Sequence, residues 1–156
     1  MLKASTGILA LLTGILGTAL LLSCQGSLFF SEYQPIPHRQ WDCADTLEFR
    51  LPVADTDTDL SLTVGVRSDY TFDCEKVVVK VEQRVGKRTV ATDTLHVIFY
   101  ADNGKGTGVG FPIADNYSSP KPFHLKAGKS YTLRLSHLMR QNPLNGIPSV
   151  GIFLEK

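Results

Sequence analysis

Apolar and polar residues alternate with a period of two over most of the chain between Asp45 and Lys156. Such alternation is typical of antiparallel strands that bury one face. Turn-forming clusters rich in Gly, Asp and Ser separate the rows. Two sheets packed face to face accommodate six or more such strands, so the pattern predicts an all-β antiparallel β-sandwich, with a jelly-roll as one topology. The apolar rows are Leu47–Leu51, Leu60–Val66, Val77–Val81, Leu95–Phe99, Tyr131–Leu135 and Val150–Leu154.

Two segments depart from this pattern. Ser136–Arg140 predicts a short helical turn, which Asn142 and Pro143 would end. Ser27–Ala44 contains Pro35 and Pro37 and predicts an extended leader that precedes the sandwich.

The first 23 residues begin with the charged and apolar regions of an export signal. Lys3 is their only charge, and a run of apolar and small residues from Ile8 to Leu22 follows it. This run is shorter than the roughly 20 residues of a membrane span, which favours a cleaved signal peptide over the alternative, an uncleaved anchor. The chain then divides into a signal peptide (1–23), a lipidated N-terminus and leader (24–44) and a sandwich domain (45–156).

The end of the signal resembles the lipobox of bacterial lipoproteins, on the residues Leu21-Leu22-Ser23-Cys24. This resemblance implies cleavage before Cys24, diacylglycerol on its thiol and acylation of the new amino group. Two or more acyl chains anchor a protein stably where one does not. In the enterobacterial sorting rule, an acidic residue directly after the lipidated cysteine retains a lipoprotein in the inner membrane. Gln25 is not acidic, so resemblance to this rule favours the outer membrane. The sequence does not distinguish between its two leaflets.

Charge excludes some partners. Without Lys3 the chain carries as many basic as acidic side chains. The balance predicts no electrostatic footprint for nucleic acid and no polybasic patch for anionic lipid.

Three cysteines are present, and lipid on Cys24 leaves Cys43 and Cys74 as a pair in an exported protein. A bridge between them would close a loop of about 30 residues and contribute roughly 3–4 kcal/mol in the chain-entropy model. Two free thiols are the alternative.

No motif in the chain predicts catalysis. The stretch Gly104–Gly110 lacks the spacing of a phosphate-binding loop and predicts loop glycines. Asp55–Asp59 begins like a calcium loop, but Leu60 and Val66 occupy its glycine and glutamate positions; a solvated turn is favoured over a weak calcium site. The four histidines, His38, His96, His124 and His137, lack metal-ligand spacing, and Glu75 and Glu82 are the only glutamates in the middle of the domain. We therefore expect no enzyme, no metal and no cofactor.

Aromatic residues near the predicted loops permit two interpretations. They could bind a glycan or peptide, or they could close the ends of the sandwich. The residues are Tyr33, Trp41, Tyr70, Phe72, Tyr100 and Tyr117.

Three further segments carry a resemblance to a family: Tyr33–Pro37 with Trp41-Asp42 and Asp45–Phe49, Tyr131–Arg140, and Leu144–Ile152. With the lipobox cysteine, they resemble the gliding-motility lipoprotein GldH family of Bacteroidota over nearly the whole mature chain. The resemblance is loose from Asp69 to Gly110. It implies an outer-membrane lipoprotein needed for surface gliding, with no assigned catalytic residues and no known cofactor. Its implied partners are the membrane and other envelope or motility lipoproteins.

A shorter pattern resembles the O-glycosylation motif of Bacteroidota, an aspartate, a serine or threonine and then an apolar residue. It occurs at Asp45-Thr46-Leu47 and at Asp93-Thr94-Leu95. The resemblance implies that Thr46 and Thr94 are acceptors only if they are exposed.

Overall fold

The computed structural model describes residues 27–100 and 103–156. The predicted signal peptide (1–23) and Cys24 lie outside these residues. Eleven strands form in the described chain, and every strand pairing is antiparallel. They are β1 (Leu28–Pro35), β2 (Gln40–Trp41), β3 (Leu47–Arg50), β4 (Thr58–Ser68), β5 (Lys76–Val85), β6 (Arg88–Ile98), β7 (Ala114–Tyr117), β8 (Lys121–Leu125), β9 (Tyr131–His137), β10 (Leu144–Asn145) and β11 (Ser149–Glu155).

Two sheets form the body of the domain. The first has the order β1-β11-β4-β7, and β8 pairs with the same strand β4 beside β7. The second has the order β3-β9-β5-β6. A separate pair joins β10 to β2, and a bridge from Val97 to Ser118 links the two sheets at one edge. The predicted antiparallel β-sandwich is confirmed.

The core lies between the two sheets and consists of the apolar rows. Val64 on β4 and Ile152 on β11 are fully buried from the first sheet, and Val79 and Leu133 from the second. Their neighbours along each strand point to the opposite face of the sheet, as a period of two requires. Burial of this apolar surface is the main force that holds the two sheets together.

The predicted leader does not match the structure. β1 pairs with β11 from Leu28 to Pro35, and Trp41 is fully buried. The folded domain therefore includes β1 from Leu28 onwards and does not start at residue 45. β1 is an edge strand whose two faces are both partly exposed, so its residues lack the alternation that marks the other strands.

The predicted helical turn is also absent from the described chain. Ser136 and His137 complete β9, and the amide of Leu138 donates to the carbonyl of Val78 on β5 at 2.8 Å. Sheet pairing thus continues to the point where the turn was expected. No helix in the described residues has the length and apolar character needed to cross a membrane.

Candidate functional site

The two ends of the sandwich differ, and the chain enters at one of them. The carbonyl of Ser27 accepts a hydrogen bond from the amide of Lys156 at 3.0 Å. The turn at Gly128 lies at this same end, because β8 ends there against the start of β4 and the amide of Gly128 donates to Ala54. The β5–β6 turn at Gly86 adjoins it, since Val85 pairs with Tyr131. We call this the proximal end.

The opposite, distal end is held together by Asp69. Its carboxylate accepts from the amide and the hydroxyl of Thr71, at 2.9 and 2.6 Å, and from Arg39 Nη1 at 2.8 Å. The bonds from Thr71 and then from Arg39 outweigh burial and hold the pKa of Asp69 below its usual value. The amide of Asp69 donates to the carbonyl of Gly146 at 2.9 Å. These bonds join three loops, which together form the base of the distal end.

On this base stands an exposed apolar surface, which we call the distal tip. Phe111 is 95% exposed and Tyr70 is 88% exposed. Tyr100, Val109 and Ile113 extend the surface, and an open cleft of about 200 Å³ separates Tyr70 from Phe111. Aromatic side chains this exposed are typical of contact sites for other molecules.

The six aromatic residues that the sequence offered as candidates for binding fall into three groups. Trp41 and Phe72 are buried and close the sandwich: Trp41 Nε1 donates to the Asp45 carbonyl at 3.1 Å, and Phe72 packs on Phe99 at a centroid distance of 4.4 Å. Tyr70 and Tyr100 belong to the distal tip. Phe111 was missed as a candidate, because it lies in a loop without periodicity; its position after the glycine-rich stretch was the available signal.

Tyr33 and Tyr117 form the third group, on the outer face of the first sheet. Both pack edge-on against Phe153, each at a centroid distance of 5.6 Å, and the Arg67 guanidinium lies 4.0 Å above the Tyr33 ring. Arg67 Nε also donates to Asp115 at 2.7 Å. Burial, and then the neighbouring Tyr117, raises the pKa of Tyr33. Tyr33 is therefore a neutral packing residue at physiological pH.

Cys43 and Cys74 lie at the distal end with free thiols. Both contact the same segment, since the Cys43 amide donates to Asn142 Oδ1 at 2.7 Å and Cys74 Sγ lies 3.2 Å from Gln141 Oε1. Burial, and then the charge of Asp73, raises the pKa of Cys74. The Cys43–Cys74 bridge stays a prediction.

The Asp55–Asp59 segment is tied to its neighbours at the proximal end. Asp57 Oδ1 accepts from the Ala127 amide at 2.8 Å, and Asp59 Oδ1 lies 2.7 Å from His124 Nδ1. Within residues 27–100 and 103–156, no group of three or more His, Cys, Asp or Glu side chains is arranged to hold a metal ion.

The two glutamates in the middle of the domain make different contacts. Glu82 on β5 pairs with Lys80 at 3.0 Å and with Arg134 at 3.4 Å, whereas Glu75 holds the amides of Phe99 and Tyr100 through its carbonyl. These contacts are those of strand and turn stabilisation.

The structure also shows where the glycine-rich stretch and the two candidate glycosylation threonines lie. Gly104–Gly110 forms a loop closed by paired backbone bonds between Val109 and Asp115, at 3.0 and 2.8 Å. Thr94 is exposed on β6, whereas Thr46 is half-buried before β3. Thr94 is thus the more accessible of the two proposed O-glycosylation acceptors.

Solved structures with a similar arrangement are distant. A CocE/NonD family hydrolase from Staphylococcus aureus superimposes with a TM-score of 0.38 at 11% identity, over 83% of this chain and 33% of that chain. A structure of infectious bursal disease virus, Gx strain, gives a TM-score of 0.31 at 17% identity, over 85% of this chain and 34% of that chain. The chain spans about a third of the length of both, and at these scores the likeness supports no functional argument.

Sequence comparison is more specific. No curated protein matches the chain. The family described as "GldH lipoprotein" matches residues 28–154, which is the whole sandwich including β1. The chain belongs to the GldH lipoprotein family.

Proposed function

We propose that this lipoprotein is anchored in the outer membrane by lipid on Cys24 and serves, without catalysis, as an accessory docking component of the gliding machinery. The main support is that the GldH family match covers the folded domain. In addition, Ser27, the described residue nearest Cys24, lies at the end of the domain opposite the distal tip. Motility and envelope proteins are the partners implied by the family.

The geometry supports an outward-facing tip. Three residues join Cys24 to Leu28, and fully extended chain spans at most about 3.6 Å per residue, so the proximal end stays within roughly 15 Å of the lipid. β4 has 11 residues and runs the length of the domain, about 35 Å at 3.4 Å per residue. The end of the domain held near the lipid is therefore the one opposite Tyr70 and Phe111, which leaves these residues within reach of another envelope protein.

The shape of the tip favours a protein contact. Its cleft of about 200 Å³ is smaller than the roughly 300–1,000 Å³ of ordinary small-molecule pockets. Exposed aromatic side chains above a hydrogen-bonded base are instead typical of protein–protein interfaces, which are enriched in aromatic residues. Asp69 provides that base through its bonds to Thr71 and Arg39.

Chromosomal replacement tests the proposal. Cys24→Ser should move the protein to the soluble fraction and abolish cell spreading. The double variant Tyr70→Ser/Phe111→Ser should stay in the membrane at normal abundance yet spread poorly and lose its crosslinked partners. Tyr117→Ser removes a half-exposed aromatic ring from the outer sheet face and should behave like the wild type.

Two outcomes count against the proposal. If the tip variant spreads and crosslinks normally, the tip is not the docking surface. If deletion of the gene leaves spreading, secretion and envelope assembly unchanged, the motility role itself is wrong.

A glycan- or peptide-binding module is the second candidate. The open arrangement of Tyr70, Tyr100 and Phe111 favours it, since aromatic faces provide large apolar contact area at low entropic cost. A glycan or peptide array in which the Tyr70→Ser/Phe111→Ser variant binds as well as the wild type removes this candidate.

A further inference from the structure

An open cleft of about 420 Å³ lies at the proximal end, between the β5–β6 hairpin and the segment that joins β8 to β9. Its apolar side is formed by Val85, Val90 and Tyr131. Tyr131 is buried, and its hydroxyl accepts from the amide of Lys126 at 3.3 Å. The cleft is of the size of ordinary ligand pockets, which run from roughly 300 to 1,000 Å³.

Cations surround this apolar floor. Arg88, Lys126 and Lys129 line the cleft together with His124. No carboxylate belongs to the described residues that line it. Asp59 contacts the cleft from outside, through its 2.7 Å bond to His124 Nδ1.

None of the three cations forms an ion pair within the described chain, although the Asp57 carboxylate lies at the same end and accepts from the amide of Ala127. Five of the 15 described Lys and Arg side chains have a carboxylate within ion-pair distance, and Arg88, Lys126 and Lys129 are among the ten that do not. Like charges that converge without partners repel one another, so an anion that binds among them is stabilised by all three.

The cleft also has a fixed position relative to the chain entry. Leu28, Glu155, Ser61 and Pro122 are aligned across the first sheet, so the β8 edge lies three strand spacings, about 15 Å, from β1. Both the cleft and Ser27 lie at the proximal end. Lipid on Cys24 would hold this end against the bilayer.

We propose that this cleft binds the anionic headgroups of lipids in the membrane that holds the protein, with Arg88, Lys126 and Lys129 contacting the phosphates. The inference rests on the proposed anchoring through Cys24, because the anchor brings the cleft to the headgroups. Val85, Val90 and Tyr131 then contact the apolar part of the lipid below the phosphate. The contact orients the sandwich and points the distal tip away from the bilayer.

The same cations explain why the sequence predicted no patch for anionic lipid. Arg88 is the first residue of β6, whereas Lys126 and Lys129 lie between β8 and β9, so the lengths of β6, β7 and β8 separate them in the sequence. The balanced total charge hides a local excess that only the fold assembles.

Vesicle sedimentation tests the proposal with residues 24–156 carrying Cys24→Ser, so that no lipid attaches to the protein. The buried core residues of the described chain all lie between Ile36 and Leu154, so residues 24–156 contain them all. Vesicles of phosphatidylcholine with about one lipid in three replaced by phosphatidylglycerol should bind it, and binding should weaken as salt rises. The triple variant Arg88→Glu/Lys126→Glu/Lys129→Glu should bind at least tenfold more weakly, because each Lys or Arg near an anionic surface strengthens binding about fivefold.

A matched control carries the same change of charge at the distal end, as Lys76→Glu/Lys105→Glu/Arg140→Glu. These three side chains are exposed and unpaired within the described chain, so this variant should bind within twofold of the wild type. Circular dichroism confirms that both variants are folded.

The proposal is overturned if pure phosphatidylcholine vesicles bind the protein equally well, or if the control variant loses as much binding as the cleft variant. Neither result bears on the anchor, since the assay contains no lipid on residue 24. Mass spectrometry of the wild-type protein tests lipidation of Cys24 separately. A Cys24 without acyl groups would overturn the proposed function and the orientation derived from it, independently of the vesicle-binding result.

Discussion

His137 donates a hydrogen bond from Nε2 to the carbonyl of Trp41 at 3.1 Å, and the two rings pack edge-on at a centroid distance of 5.2 Å. The other ring nitrogen, Nδ1, accepts from the amide of Met139 at 3.3 Å. These two bonds assign the neutral tautomer with the proton on Nε2. A second proton, on Nδ1, would face the Met139 amide, so the folded site favours the uncharged ring.

This relationship predicts how stability depends on pH. Burial lowers the pKa of His137 in the folded protein, although Trp41, Asn142 and Asp42 act in the opposite direction. The unfolded chain therefore takes up the proton first as the pH falls. The free energy of unfolding should be at its full value above the unfolded pKa of about 6.5 and should decrease as the pH falls below it, until the folded protein is protonated too.

Urea unfolding at a series of pH values between about 8 and 5 measures this decrease. His137→Gln retains a side-chain amide that can donate to Trp41 but cannot titrate, so its unfolding free energy should depend less on pH across this range. A variant with the same pH dependence as the wild type would show that His137 is not the group responsible.

The sequence predicted the sandwich because its central strands bury one face. Val64 and Ile152 fall in rows whose period of two can be read directly. β1 was missed because it is an edge strand with no clear inner face, and Pro35 suggested a linker. The proximal cleft was missed for a different reason: Arg88 and Lys129 are brought together only by the pairing of β5 with β9.

A second prediction concerns Gly65, which lies beneath the Tyr33 ring. A Cβ on Gly65 would lie 2.4 Å from Tyr33 Oη and 3.0 Å from the Phe153 ring. Gly65→Ala should therefore lower the free energy of unfolding by about 1–3 kcal/mol, the usual cost of overpacking. Gly106→Ala is the matched control, because a Cβ there has Phe99 O at 3.9 Å as its nearest neighbour.

Tyr33→Phe should reverse part of this loss. Tyr33 Oη is buried and has no hydrogen-bond partner among the described residues, so its removal alone should leave stability unchanged or slightly higher. In the Gly65→Ala background it also removes the nearest clash. A double-mutant cycle should give a favourable coupling of about 0.5 kcal/mol or more; strictly additive effects would contradict the contact.

Gly146 supports a third prediction, about the base of the distal tip. Its φ of 78° is strained for other residues, and a Cβ would lie 2.6 Å from both Phe72 N and Thr71 Oγ1. Gly128 has a similar φ of 67° but nothing within 4 Å. Gly128→Ala should therefore cost only the backbone strain, about 1–2 kcal/mol, and Gly146→Ala clearly more.

Thermal or urea unfolding compares the two variants. Gly146→Ala should also loosen the loop that carries Tyr70, because Thr71 bonds Asp69 at the same position. Hydrogen exchange at the amides of Thr71 and Phe72 should then be faster than in Gly128→Ala. Equal stability and equal exchange in the two variants would rule out the clash.

The last prediction concerns the thiols of Cys43 and Cys74. In the reduced protein both are free, and Cys43 is the more exposed. Burial and the neighbouring Asp73 raise the pKa of Cys74, so less of its reactive thiolate is present at neutral pH. Under reducing conditions an alkylating reagent should modify Cys43 first, and the rate at Cys74 should increase as the pH rises.

In the exported protein we expect the two residues to be bridged. Mass spectrometry without reductant should then find neither thiol alkylated and the protein lighter by two hydrogens. Reduction should make both reactive and should lower the free energy of unfolding by about 3–4 kcal/mol, the chain-entropy value for a loop of this length. Cys43→Ser/Cys74→Ser is the control, since its stability should not respond to reductant. Two alkylatable thiols in the native, unreduced protein would instead show that the distal end is held by Asp69, Gln141 and Asn142 without a covalent link.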